Sequence, residues 1–151
     1  MELELESVKV PADVQRLWFA TLARPWSVLV VMPAHEGASS YSLAKALCLA
    51  GGQARGAPVR LVEAQFLELS RAAQLIAEAR ASSGGAGSTI INVGSPLSSS
   101  AAIPIALGSD GVLLCIELGK TEISAAKRTV ELIGRPHFLG AVSVSPAGIS
   151  P

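Results

Sequence analysis

The stretch SVLVVMPAHEGASSYSLAKALCLA, residues 27–50, decides the fold. Val28 to Met32 is an unbroken apolar run, the signature of a strand buried on both faces. His35-Glu36-Gly37-Ala38 reads as a turn, and a helix opens near Ser39 or Ser40. A strand that feeds a helix N-terminus through such a turn has the layout of a phosphate-binding loop, because the first N–H groups of the helix and its positive dipole end can hold a phosphate. Where that layout expects G-K-[ST], the chain carries Gly37-Ala38-Ser39. The shape is present and the lysine is absent. Gly37, Ser39 and Ser40 are therefore the candidate ligand-binding positions, as a vestigial loop whose serines also serve as helix caps.

On the N-terminal side, Val14, Leu17, Trp18 and Leu22 recur at helical spacing between Pro11 and Ala23, and Pro25 marks the stop. Trp18 and Phe19 are expected in the core. Residues 1–10 alternate Glu2, Glu4 and Glu6 with Leu3 and Leu5, which suits an edge strand or an extended arm. On the C-terminal side, residues 51–56 (GGQARG) read as a flexible connector. A strand follows over Val59 to Ala64, then a helix from Leu67 to Ala79 with Leu69, Ala72, Ala73, Ile76 and Ala79 on one face.

Further strands are expected at Thr89–Val93, Gly111–Glu117 and Phe138–Val144. Between them lie a short helix capped by Ser98–Ser100 and made irregular by Pro104, and a helix over Glu122–Ile133 capped by Thr121, with the stripe Ile123, Ala126, Val130, Ile133. Five short apolar strands separated by helices predict an α/β, doubly wound, mainly parallel sheet in a single domain spanning residues 1–151.

Composition narrows the function. Apolar residues make up 50% of the 151 and charged ones 16%, with a formal net charge of zero. No basic block supports nucleic-acid binding. Cys48 and Cys115 suit small buried hydrophobes, not a disulfide framework or a metal site. No signal peptide and no apolar run of about 20 residues is visible. A soluble cytosolic protein is expected.

The order of segments resembles the P-loop ATPase domain of bacterial tyrosine autokinases of capsule and exopolysaccharide synthesis, related to the cell-division and partition ATPases. Residues 91–134, INVGSPLSSSAAIPIALGSDGVLLCIELGKTEISAAKRTVELIG, are similar to that family's run from its Walker B strand to a G-K-T helix start. Ala34–Ala50 resembles its P-G-E-G-K-S-T loop and following helix, and VRLVEAQF (59–66) its second acidic strand. The resemblance covers about Val14 to Val144 and implies a P-loop NTPase-like fold.

The departures from that pattern fall on charge. The lysine position is Ala38, the D-x-D strand reads Glu63 and Gln65, the Walker B aspartate falls on Asn92, and the base-edge asparagine falls near Val144. The tyrosine-rich tail is absent, Tyr41 being the one tyrosine. Since phosphoryl transfer rests largely on electrostatic stabilisation, a non-catalytic domain is expected, with no cofactor and no metal. The resemblance implies action by protein–protein contact with a membrane polysaccharide co-polymerase or another export component, or with another copy, at the cytoplasmic face of the inner membrane.

The alternatives are a divergent ATPase or tyrosine kinase that still uses ATP and magnesium, with Glu63 and Lys45 as substitutes, and a regulator akin to the division and partition ATPases. His35 and Glu36 are expected as exposed turn residues. Asn92 is expected to bond nearby backbone. Ser95 and Ser98–Ser100 lack a G-x-S-x-G elbow and read as loop and cap residues.

Overall fold

The structure is a computed structural model that describes residues 11–145 together with the backbone of residues 148–150. The expected arm at residues 1–10 lies outside the described residues. The elements are α1 (Ala12–Thr21), β1 (Val28–Pro33), α2 (Tyr41–Arg55), β2 (Arg60–Ala64), a 3₁₀ turn (Leu69–Arg71), α3 (Ala72–Ala81), β3 (Thr89–Val93), α4 (Ala102–Gly108), β4 (Gly111–Glu117), α5 (Ile123–Ile133), a 3₁₀ turn (Arg135–His137), β5 (Phe138–Ser145) and β6 (Gly148–Ser150). The sheet runs β2-β3-β1-β4-β5-β6. β1 to β5 are all parallel, and β6 adds one antiparallel strand beside β5. The chain is thus α/β with a doubly wound parallel sheet, consistent with a P-loop NTPase-like fold.

All six residues of β1 are buried, as the central place of the strand demands. Side chains alternate between two cores. Leu29 and Val31 meet α1 and α2 through Leu17, Trp18, Leu43 and Leu47. Val28, Val30 and Met32 meet α3, α4 and α5 through Ala72, Ala79, Ile105 and Ile133. The helix after β1 therefore covers one face, and the helices after β2, β3 and β4 cover the other. Connections that leave β1 and its neighbours toward opposite faces open a crevice beyond the C-terminal ends of these strands.

Several boundaries and faces differ from expectation. α2 does not stop at Ala50 but continues through Gly51 and Gly52 to Arg55. Gly51 is selected by packing, since a methyl there would come within 3.0 Å of the Trp18 ring. Trp18 is fully buried and meets Trp26 edge-on at 5.5 Å, whereas Phe19 and Leu22 are exposed. Thr21 takes the fourth inward position of α1, its hydroxyl bonded to Trp18 O at 2.7 Å.

The expected helix at Leu67 begins as a 3₁₀ turn, leaving Leu69 and Ala73 outside. α5 buries Ile133 as expected, but Ala125 and Thr129 take the inward places of Ala126 and Val130, the Thr129 hydroxyl reaching Ala34 O at 3.2 Å and Ala125 O at 2.9 Å, and Ile123 is exposed. Pro104 sits in the first turn of α4, where its missing N–H removes no helix bond. Neither α4 nor α5 has a side-chain cap from the expected serines or Thr121.

Candidate functional site

The C-terminal ends of β1, β2 and β3 bring the candidate loop beside Glu63, Gln65 and Asn92. Gly37 has φ +82°, a left-handed conformation that glycine adopts without strain, and this lets the chain leave β1 and turn into α2. Ser39 is exposed; its Oγ donates weakly to Gln65 Oε1 at 3.4 Å and accepts the first helical N–H, from Tyr41, at 3.2 Å. Ser39, not Ser40, therefore supplies a side-chain oxygen to the helix start.

Ser40 is 1% exposed. Its hydroxyl proton goes to Asn92 Oδ1 at 2.6 Å, with Val31 O a further 3.3 Å contact. The Asn92 amide nitrogen donates to both Glu63 oxygens, at 3.0 and 3.1 Å. Glu63 Oε1 also accepts the Gln65 N–H at 2.8 Å. Asn92 is wholly buried. It bonds side chains, contrary to the backbone pairing expected of it, because β2 and β3 are in register at Glu63 and Asn92 and place the two side by side on one face.

The result is a chain of donors and acceptors, Ser40 to Asn92 to Glu63, in which each group answers the next. Among the described residues no buried side-chain polar atom lacks a partner. A neutral amide can bridge hydroxyl and carboxylate in this way; a carboxylate at position 92 would face Glu63 with like charge. The donor set suits magnesium poorly, since it offers a single carboxylate already held by Asn92 and a backbone N–H. Among the described residues no cluster of three or more His, Cys, Asp or Glu could hold a metal ion.

Outside this network lies a crevice of about 660 Å³, bordered by Gly37 and Ala38 on the loop, Gln65, Phe66 and Glu68 after β2, and Ser98 and its neighbours after β3. Glu68 is the one charged side chain in its lining. A polyphosphate there would meet serine hydroxyls and a carboxylate but no cation. Lys45 does not supply one: it lies instead along a separate groove with Cys48, Leu49 and Val59. Ser95 is buried, its Oγ accepting the Leu97 N–H at 3.2 Å.

On the other side of the loop, His35 Nδ1 and Thr121 Oγ1 are 2.7 Å apart. Thr121 Oγ1 also accepts the Glu117 N–H at 2.9 Å, so one hydroxyl links the imidazole to the end of β4. His35 is thereby half-buried, not the exposed turn residue expected, and Thr121 staples the loop to the end of β4 in place of capping α5. Val144 pairs with Glu117 within the sheet.

Burial raises the Cys48 thiol to about 12. Burial and the nearby Glu117 raise Cys115 to about 11. Both are free thiols and neither suits nucleophilic work. Among the described residues no helix is long and apolar enough to cross a membrane.

The sequence-predicted residues Gly37, Ser39 and Ser40 do come together with Glu63, Gln65 and Asn92. The exposed turn from Phe66 to Leu69 was not foreseen, and its position immediately after β2 is the signal that places it at the crevice. Neither a protein-family model nor a curated protein sequence matches the chain.

Proposed function

We propose that the chain is a non-catalytic, P-loop-like domain in exopolysaccharide or capsule assembly that works by binding another protein. The observation that carries the non-catalytic part is the Ser40–Asn92–Glu63 network, in which the groups nearest the loop satisfy one another and none is a cation. Stabilising a transferring phosphoryl group needs positive charge that neither the network nor the crevice supplies. The polysaccharide setting rests on the resemblance of residues 91–134 and of the loop to the autokinase domains. The partner that this resemblance suggests is a membrane polysaccharide co-polymerase or other export component at the cytoplasmic face, or a second copy.

Calorimetric titration with ATP and ADP, with and without magnesium, tests the reading. No micromolar binding and no hydrolysis is expected; micromolar binding accompanied by turnover would overturn it. The open crevice of about 660 Å³ favours a second reading, in which a nucleotide or other ligand is held without turnover. Binding without hydrolysis would select that one. Glycosyltransferase and polymerase genes beside this one would support the polysaccharide setting, whereas division or partition genes would favour a regulator of those processes.

A further inference from the structure

Among the described residues, β2 is the outer strand of the sheet on the side away from β6. Arg60 donates its N–H to Ser88 O at 2.8 Å, so Arg60, Val62 and Ala64 face β3, and the N–H and C=O groups of Leu61 and Glu63 point outward. The strand carries no lysine, no proline and no register shift, three of the means by which an edge is protected, and its central residues Leu61 and Val62 are apolar. Its charges lie toward its ends. Arg60 stands at the start, Glu63 near the end and Glu68 in the turn beyond, and none of the three is in an ion pair among the described residues. Arg60 spends its guanidinium on the Ser82 hydroxyl.

We propose that this edge joins two copies of the chain, with their β2 strands antiparallel about a two-fold axis at Val62. An axis perpendicular to the sheet sets Leu61 of each copy opposite Glu63 of the other. Each of these residues has one outward N–H and one outward C=O, so each pair closes as a hydrogen-bonded antiparallel pair and leaves no outward group of β2 unanswered. The same orientation brings the Arg60 end of one strand toward the Glu63 end of the other. A parallel addition would instead set like ends together.

A second feature fits the same axis. Phe66 is 88% exposed, an unusual state for a phenylalanine, and Leu69 beside it is 55% exposed. The antiparallel orientation brings the end of β2 that leads into the Phe66 turn toward the Pro58 end of the other copy. There an apolar groove of about 500 Å³ opens between α2 and the start of β2, lined by Cys48, Leu49, Gly56, Pro58 and Val59 among others. The knob and the groove belong to the same chain at opposite ends of one strand, the arrangement a two-fold interface requires.

Sedimentation equilibrium of the full chain over a concentration series tests the proposal, with Leu61→Pro and Phe66→Ala beside the wild type. Proline at 61 removes an N–H that faces outward, so it blocks pairing while leaving the bonds to β3. The wild-type mass should rise from 15.5 kDa toward twice that value. Leu61→Pro should remain monomeric, and Phe66→Ala should need about tenfold higher concentration to associate. Hydrogen exchange at Leu61 and Glu63 should slow as the wild type associates. A wild type that stays monomeric overturns the proposal, as does a dimer indifferent to both substitutions. Protection of Leu61 and Glu63 that is independent of concentration would do the same, since another part of this chain would then cover the edge. None of these readouts uses nucleotide, so a failure here is separate from a failure of the non-catalytic reading.

Discussion

Asn92 lies between Ser40 and Glu63 as acceptor to one and donor to the other, at 2.6 Å from the hydroxyl and about equally far from both carboxylate oxygens at 3.0 and 3.1 Å. An aspartate could not make the second contact, because it has no proton to give at neutral pH. Asn92 and Glu63 therefore form a matched pair.

Asn92→Ala should lower stability by about 1–2 kcal/mol, since it leaves the buried Ser40 hydroxyl only its longer contact to Val31 O and removes the amide that Glu63 accepts from. Urea unfolding with an unchanged slope checks this. Asn92→Asp should make stability depend on pH. Like charge raises the folded-state pKa of one carboxylate above its unfolded value near ~4, so the deficit is full above the raised pKa and shrinks as pH falls through it. Magnesium should raise the melting temperature of this variant and leave the wild type unmoved. A flat pH response in Asn92→Asp would contradict the pairing.

Gly51 and Gly52 are adjacent in α2 and should respond to alanine with opposite signs. At Gly52 the nearest atom to an added methyl is Ala57 O at 3.8 Å, so Gly52→Ala should stabilise by roughly 0.5–1 kcal/mol through helix propensity. At Gly51 the methyl would overlap the Trp18 ring, and the expected loss of about 1–3 kcal/mol outweighs the same propensity gain. Paired thermal or urea unfolding decides it.

Asp110 ties the starts of β1 and β4 to the end of α3. Its Oδ2 accepts Ser27 N–H at 2.8 Å and Val28 N–H at 3.0 Å, and the same oxygen pairs with Arg80 at 2.8 Å. Partial burial pushes the carboxyl up, but the Arg80 bond and the two N–H groups outweigh it and hold the group at about 2. A depressed folded-state pKa gives stability that is present above the unfolded value near ~4 and is lost as pH falls through the folded one. Unfolding measured from pH ~5 to about 2 should show this acid loss in the wild type, with less of it in Asp110→Asn.

Cys48 and Cys115 should resist alkylation in the native protein at neutral pH and react on unfolding, since burial holds them at about 12 and about 11. Labelling followed by mass measurement, with and without denaturant, checks both sites. Rapid native labelling of Cys115 would show that β4 opens more readily than its packing suggests.

Much of the architecture was legible because it follows from local chemistry. The apolar runs at 28–32, 89–93 and 111–117 can satisfy themselves only as interior strands, and helices between them force parallel crossovers. The absence of a cation at Ala38 and of a carboxylate at Asn92 is likewise a property of residue type. Tertiary structure decided the rest. Whether Gly51 ends a helix or lies inside one depends on Trp18, thirty-three positions earlier. The inward face of α5 depends on Thr129 reaching Ala34. The meeting of Ser40, Asn92 and Glu63 depends on the register of three strands, and the exposure of Phe66 on β2 being the outermost of them. Hydrophobic pattern specifies which segments must be buried, but directional hydrogen bonds and ring contacts specify which atoms meet, and those partners are distant in the chain.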